Sequence, residues 1–262
     1  MIPQERIRWL VLVLLLEFSL FVTLLSAHFL SSIAAPVVSE NPFVPIGPLR
    51  SVVVLEKFSF ESQESLKRWE EKTFKGQTNY QVLQRDHQSF LQTSSNDSSS
   101  GLYKKVNYRV TPDLYLSWKW KPVVFPRKRE PNRLSNKAED DFAARIYLIF
   151  LGSNFFRSDV IEYVWDEKIS TGTTVASPYS ERVKLFVVRS GAPSEENGGW
   201  REEERNIYED YWQLFKKEPA RPLGVIALMS DSDNTGTRSE ADFGEIILKT
   251  KHLVPGITKK GI

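Results

Sequence analysis

From Asp113 to Lys121 the sequence alternates without a break. Leu114, Leu116, Trp118 and Trp120 hold every second place, and Tyr115, Ser117, Lys119 and Lys121 stand between them. Side chains of an extended strand point to opposite faces in turn, whereas a helix would spread four residues at this spacing around its circumference. The run therefore predicts a strand with one apolar and one polar face. Such a strand needs a second layer to cover its apolar side. With Leu114 and Leu116 beside them, the two indoles read as core, although a Trp pair on an open sheet face could also stack against sugar rings. Lys119, Lys121 and Tyr115 fall on the opposite face, where they could line a concave groove.

Other segments repeat the strand signal. Val52–Phe58 reads as a buried strand. Asn79–Gln84, Ser89–Gln92 and Leu102–Tyr108 read as shorter ones, with a Ser/Asn loop at Ser94–Gly101. Ala143–Phe150 and Arg182–Arg189 are continuous apolar runs of the central-strand kind, and Leu223–Ser230 and Phe243–Lys249 close the series. One helix is predicted over Trp200–Phe215, with Trp200, Ile207, Tyr208, Tyr211 and Phe215 on one stripe and Pro219 and Pro222 beyond it. The fold class expected is all-β, a jelly-roll-like sandwich with one prominent helix.

The amino terminus has a different character. Arg6 and Arg8 precede an apolar run over residues 9–25, and Ser32-Ile33-Ala34-Ala35 supplies small residues after it. This is the order of a secretory signal, cut after Ala34. The same run is long enough for a membrane anchor, which Glu17 disfavours; Pro36 disfavours the cut. Residues 1–35 are read as signal or anchor, 36–50 as a Pro-rich linker, 51–250 as the sandwich domain and 251–262 as a tail. Either reading places the body in the periplasm or outside the cell, with the inner membrane as a partner through residues 9–25 if the run is retained. The chain has no cysteine, which removes disulfides, thiolate metal sites and thiol nucleophiles. With 35 basic and 33 acidic residues it lacks the basic excess of a nucleic-acid binder.

From Leu116 to Leu248, six pieces occur in order: Trp118-Lys119-Trp120-Lys121, Asp140-Asp141-Phe142 through Phe150, Ile161-Glu162-Tyr163-Val164-Trp165, Glu204-Arg205-Asn206 with Asp210-Tyr211, Asp231-Ser232-Asp233-Asn234-Thr235, and Phe243-Gly244-Glu245-Ile246. Together they resemble the bacterial domain-of-unknown-function family 3047, over roughly residues 52–250. The resemblance implies an exported β-sandwich similar to the galactose-binding-like jelly rolls of carbohydrate-binding modules. It implies no chemistry. The basic stretch Arg127–Arg133 departs from the family pattern.

Several constellations carry candidate chemistry. Arg145 lies inside an apolar strand, where an unpaired charge is costly. It calls for a carboxylate on a neighbouring strand, Asp231 or Glu204, or for a bound anion. The cluster is then either a structural ion pair or the polar part of a binding cleft. Asp231, Asp233 and Thr235, with Asp242 further on, have the oxygen spacing that opens a calcium loop, and equally that of an Asx turn. Ca2+ is the one cofactor expected as a candidate. Glu202, Glu203 and Glu204 suit the amino-terminal end of the predicted helix. The candidate ligand contacts are Lys119, Lys121, Asp140, Asp141, Arg145, Trp165, Glu204, Arg205, Asn206, Asp231 and Asn234. No Ser-His-Asp set, HExxH motif or phosphate-binding glycine loop occurs. Three functions fit: a non-catalytic module binding an envelope glycan, a hydrolase using a carboxylate pair drawn from Asp140, Asp141, Glu204, Asp231 and Asp233, and a protein-interaction factor using Arg127–Arg133 or a sheet edge.

Overall fold

The indoles of Trp118 and Trp120 lie at the seam between two sheets. The computed structural model describes residues 50–129, 134–152 and 157–253; the expected leader and most of the linker lie outside them. Trp118 stacks on Tyr163 of the facing sheet at 5.2 Å and meets Trp120 edge-on at 5.4 Å, and Trp120 approaches Trp165 at 5.9 Å. Both indoles are fully buried, so the apolar face of the alternating strand is core.

The strands in chain order are β1 (Arg50–Phe58), β2 (Glu70–Lys75), β3 (Asn79–Arg85), β4 (Gln88–Asn96), β5 (Ser99–Tyr108), β6 (Leu114–Val124) and β7 (Ala144–Phe150). There follow β8 (Asp159–Asp166), β9 (Thr174–Ser177), β10 (Ser180–Ser190), β11 (Arg201–Asn206), β12 (Leu223–Asp231) and β13 (Arg238–Leu253), with one α-helix, α1 (Ile207–Phe215), between β11 and β12. The first sheet runs β11-β6-β13-β4-β3, with β1 also on β13; the second runs β2-β5-β12-β7-β8-β10-β9. All pairs are antiparallel except β8 with β10. Strand β13 is the long spine of the first sheet. Its first half pairs β4, its second half pairs β1, and β6 lies along its other edge. It continues through Leu253, into the stretch expected as a tail.

The second sheet buries apolar side chains on both faces, which explains why β7 and β12 read as mostly apolar runs without alternation. Ala144, Ile146, Leu148 and Phe150 of β7 enter the core between the sheets. Tyr147 and Ile149 join a second cluster on the far face, with Phe142 and Leu134 from the connection before β7.

Three expectations are corrected. The helix does not begin at Trp200. Residues 201–206 pair one by one with β6, Arg201 opposite Trp120 through Asn206 opposite Tyr115, and extend the sheet at its edge. Asn206 then starts α1, its side chain accepting from the amides of Tyr208 and Glu209. The three glutamates thus alternate across a strand, with Glu203 turned in toward Trp120 and Arg189, and are not placed at a helix end. The stretch Ser94–Gly101 is not a loop but the ends of β4 and β5 around a tight turn. Ser95 is satisfied inside, bonding Ser232 and Ser239, and Ser230 also bonds Ser239. Finally, β1 is not buried throughout. Val52, Val53 and Val54 are about half exposed (53%, 48% and 55%), because β1 is bonded only to the far half of β13.

Candidate functional site

The polar residues singled out in the sequence separate into three places. One is a closed cluster at the end of the sandwich where β12 turns into β13. Arg145 Nε and Nη2 donate to Asp231 Oδ1 and Oδ2 at 3.0 and 2.6 Å, its Nη1 donates to Glu162 Oε1 at 2.7 Å, and its Nη2 also reaches the carbonyl of Asp140. The Phe142 ring covers the guanidinium at 4.6 Å. Of the two carboxylates expected for Arg145, Asp231 is the partner. Glu204 is not: it faces the outside of the first sheet and pairs with Lys249 at 2.8 Å and with Lys251.

Asp141 holds the turn after β12. It accepts from the Asn234 amide at 3.2 Å and from the Thr235 amide and hydroxyl at 2.6 and 2.8 Å. Asn234 Nδ2 also bonds the Asp140 carbonyl at 3.0 Å. Burial pushes the Asp231 carboxyl up to about 7, with the nearby Asp141 charge adding to the rise and Arg145 opposing it. Burial likewise holds Asp140 well above the usual carboxylate range, again against Arg145.

The expected calcium set is not assembled as the spacing suggested. Asp242 lies on β13 beside Lys121 and Gln92, in the middle of the first sheet. Thr235 donates to Asp141. Asp231 and Asp233 come together with Asp141 instead, their carboxylate oxygens within 4.8 Å of one another. The oxygens of Asp231 and Asp141 in this group already accept the bonds from Arg145, Asn234 and Thr235 just described. The arrangement as it stands acts as an ionic staple joining β7, β8 and the β12–β13 turn.

The second place is the β11 edge with α1. Arg205 Nε donates to Asp210 Oδ2 at 2.8 Å, and Tyr163 donates to the same oxygen at 2.6 Å. Asn206 caps α1 and donates to the Pro112 carbonyl at 2.8 Å. Trp165 is buried in the core, its indole N–H donating to the Gly191 carbonyl at 2.8 Å. Of the basic stretch expected as a partner surface, Lys128 turns inward to Asp166 at 2.7 Å; residues 130–133 lie outside the described residues.

The third place is open. A groove of about 310 Å³ runs over the polar face of the first sheet, with Lys119 on its floor. Two local features shape it. The register between β13 and β6 slips between Phe243 and Ile246, so Gly244 and Glu245 together stand opposite Lys119. A Cβ at Gly244 would lie 2.9 Å from Lys119 Cβ, closer than side chains pack, and 3.5 Å from the Trp200 ring, so glycine here keeps the sheet beneath the ring free of a clash with Lys119. The loop before β11 delivers the ring: Asn197, Gly198 and Gly199 take φ of 53°, 61° and 83° in succession, a left-handed path suited to glycine. Trp200 then meets Phe90 edge-on at 5.5 Å. Lys121 Nζ sits 5.3 Å from the indole centre and is held by Asp242 at 3.0 Å. Glu202 and Glu245 complete the walls.

Of the sequence-derived candidates, only Lys119 lines this groove, with Lys121 fixed beside its indole. Trp200, Phe90, Glu202, Gly244 and Glu245 were missed as groove residues. A Gly-Gly-Trp ahead of a strand and the Phe243-Gly244-Glu245 break in an alternating run were the available signals.

Fold and groove together define a two-layer β-sandwich with an aromatic-walled, polar recess on the outside of one sheet. The chain belongs to the family of proteins of unknown function DUF3047, whose profile matches residues 67–247. No curated protein matches it. Among solved structures it is similar to TmCBM27, a carbohydrate-binding module with specific mannan recognition, at 11% identity and a TM-score of 0.34 over 77% of this chain and 99% of that one. It is also similar to the CBM22-1 xylan-binding domain of Paenibacillus barcinonensis Xyn10C, at 10% identity and 0.38 over 78% and 97%. A Bacillus subtilis protein of unknown function with a galectin-like fold matches at 10% identity and 0.38 over 78% and 99%. Among the described residues no helix is long and apolar enough to cross a membrane.

Proposed function

We propose that the protein is an exported, non-catalytic glycan-binding protein that takes its ligand in the groove beneath Trp200. One observation carries this reading: an indole is held at the edge of an open recess whose floor and walls offer both hydrogen-bond donors and acceptors. Sugars present apolar C–H faces and a rim of hydroxyls, so an aromatic ring beside mixed polar groups is the matching chemistry. The recess also falls at the lower end of the usual size for ligand sites, roughly 300–1,000 Å³. The carboxylates expected for hydrolysis favour binding over cleavage. Asp231 is tied to Arg145, Asp141 to the turn, and Glu204 to two lysines; Asp140 lies 3.8 Å from Arg145, and Asp233 is buried beside Asp231 and Asp141. The apolar run at residues 9–25 behind Arg6 and Arg8 supports export.

The test is retention of the purified full-length chain on immobilised neutral and acidic polysaccharides, beside Trp200→Ala. Retention by the parent and loss in the variant, at an unchanged melting temperature, is the expected result. A variant that binds as well as the parent rules out the groove. Cell fractionation with mass determination of the mature amino terminus tests export.

A further inference from the structure

The charges along the groove floor narrow the ligand class. This inference rests on the glycan reading and specifies it. Three side chains lie in a row across three adjacent strands: Glu202 on β11, Lys119 on β6 and Glu245 on β13. Glu202 is the direct cross-strand partner of Lys119, and the bulge sets Glu245 on the other side of it. The signs therefore run acid, base, acid.

Lys119 and Glu202 make no side-chain ion pair or hydrogen bond among the described residues, and both line the open recess. Glu245 is paired on its outer side with Lys57 at 2.6 Å. Lys121, a further cation close by, is neutralised by Asp242 and turned onto the Trp200 ring. The polar row thus offers acceptors at both ends and donors only in the middle.

From this row we infer that the groove selects neutral, hydroxyl-rich chains and discriminates against both uronate-bearing and amino-sugar polymers. A hydroxyl both donates and accepts. A run of hydroxyls can give hydrogens to Glu202 and Glu245 and take hydrogens from Lys119, leaving no group unmatched. A uronate is an acceptor only. Seated on Lys119 it would bring a third negative charge between two carboxylates, and like charges across so short a span are repulsive even near solvent. An ammonium-bearing sugar would meet the two acids but collide with Lys119 at the centre.

The discriminating experiment measures affinity of the full-length chain for three soluble probes: mannan as the neutral polymer, polygalacturonate as the acidic one and chitosan as the amine-bearing one. Mannan, or xylan in its place, is expected to bind at least about tenfold more tightly than the other two, a gap of about 1.4 kcal/mol. Its affinity is expected to be nearly insensitive to added salt, because no net charge is exchanged. Glu202→Gln keeps an acceptor and is expected to weaken neutral binding only a few-fold. Glu202→Lys reverses one end of the row and is expected to raise polygalacturonate binding about tenfold while lowering mannan binding. Preferential, salt-sensitive binding of polygalacturonate or chitosan by the parent would overturn the charge argument and leave the glycan reading standing. Failure of neutral and charged polymers alike would overturn both.

Discussion

Arg145 and Asp231 meet through two parallel hydrogen bonds, Nε to Oδ1 at 3.0 Å and Nη2 to Oδ2 at 2.6 Å, across the neighbouring strands β7 and β12. Both residues are only 2% exposed. Removing one partner of such a pair leaves the other as an uncompensated buried charge. Arg145→Met would strand Asp231 and Glu162 together, and is expected to cost about 3–5 kcal/mol in urea unfolding. Arg145→Lys cannot reproduce the two-pronged contact and is expected to fall between the two. Arg145→Met with Asp231→Leu should recover part of the loss. A pair of single changes that simply add would show that the two residues are not coupled.

Gly244 is where sheet geometry and groove meet. Gly244→Val places a branched side chain where even a Cβ would lie 2.9 Å from Lys119 Cβ, so the strands or the Trp200 ring must shift. Glycan affinity is expected to fall by at least about tenfold, the scale on which misplaced binding groups act. Overall stability should drop by no more than about 1–3 kcal/mol, as for overpacking. Isothermal titration beside thermal melting separates the two effects.

Much of the fold is legible in the residues, and the reasons are local. The alternation from Leu114 to Trp120 and the apolar runs of β7 and β12 each fix a strand, because burial on one or both faces leaves its own period. The need of Arg145 for a carboxylate is equally local, but the choice of Asp231 over Glu204 depends on which strand lies beside β7. The run Arg201–Asn206 has no apolar face, so neither period is marked; the open edge of β6 decides it. Ser95 reads as part of a loop because its polarity is written in the sequence and its bonds to Ser232 and Ser239 are not. The groove is least legible. Trp200 sits on the same helical stripe as Ile207 and Tyr211, and only a slip in the β13 register brings Gly244 beneath its ring.

Asp159 supplies a pH dependence. It lies between Lys217 at 2.7 Å, Arg182 at 2.6 Å and the Tyr211 hydroxyl at 2.6 Å. Burial alone would raise its carboxyl, but the Lys217 and Tyr211 bonds and the two cations outweigh it and hold the pKa below the usual value. A lowered folded-state pKa means that the unfolded chain takes up the proton first as pH falls. The stabilisation is therefore complete above the unfolded value, about 4, and is lost as pH falls below it through the folded value. Melting temperatures of the parent and Asp159→Asn should differ most near neutral pH and converge in acid. A gap that stays constant down to the acid limb would mean that the charge on Asp159 contributes nothing.

The edge strand β1 makes the last prediction. Its one bonded neighbour among the described residues is β13. Val52, Val53 and Val54 follow one another with about half their surface open, so apolar side chains project on both faces of the strand. Edge strands usually carry a charge or proline that discourages pairing with another chain. Here Ser51 through Leu55 contains neither. Val53→Lys places a charge at the centre of that run without touching the core clusters, neither of which includes Val53. Folding stability should change by less than about 0.5 kcal/mol, as at other surface positions. Light scattering during concentration or slow heating should show markedly less self-association in the variant than in the parent. Equal scattering would show that this edge does not seed association, and would direct attention to the Trp212 side chain, 53% exposed on α1, as another large apolar group open to a partner.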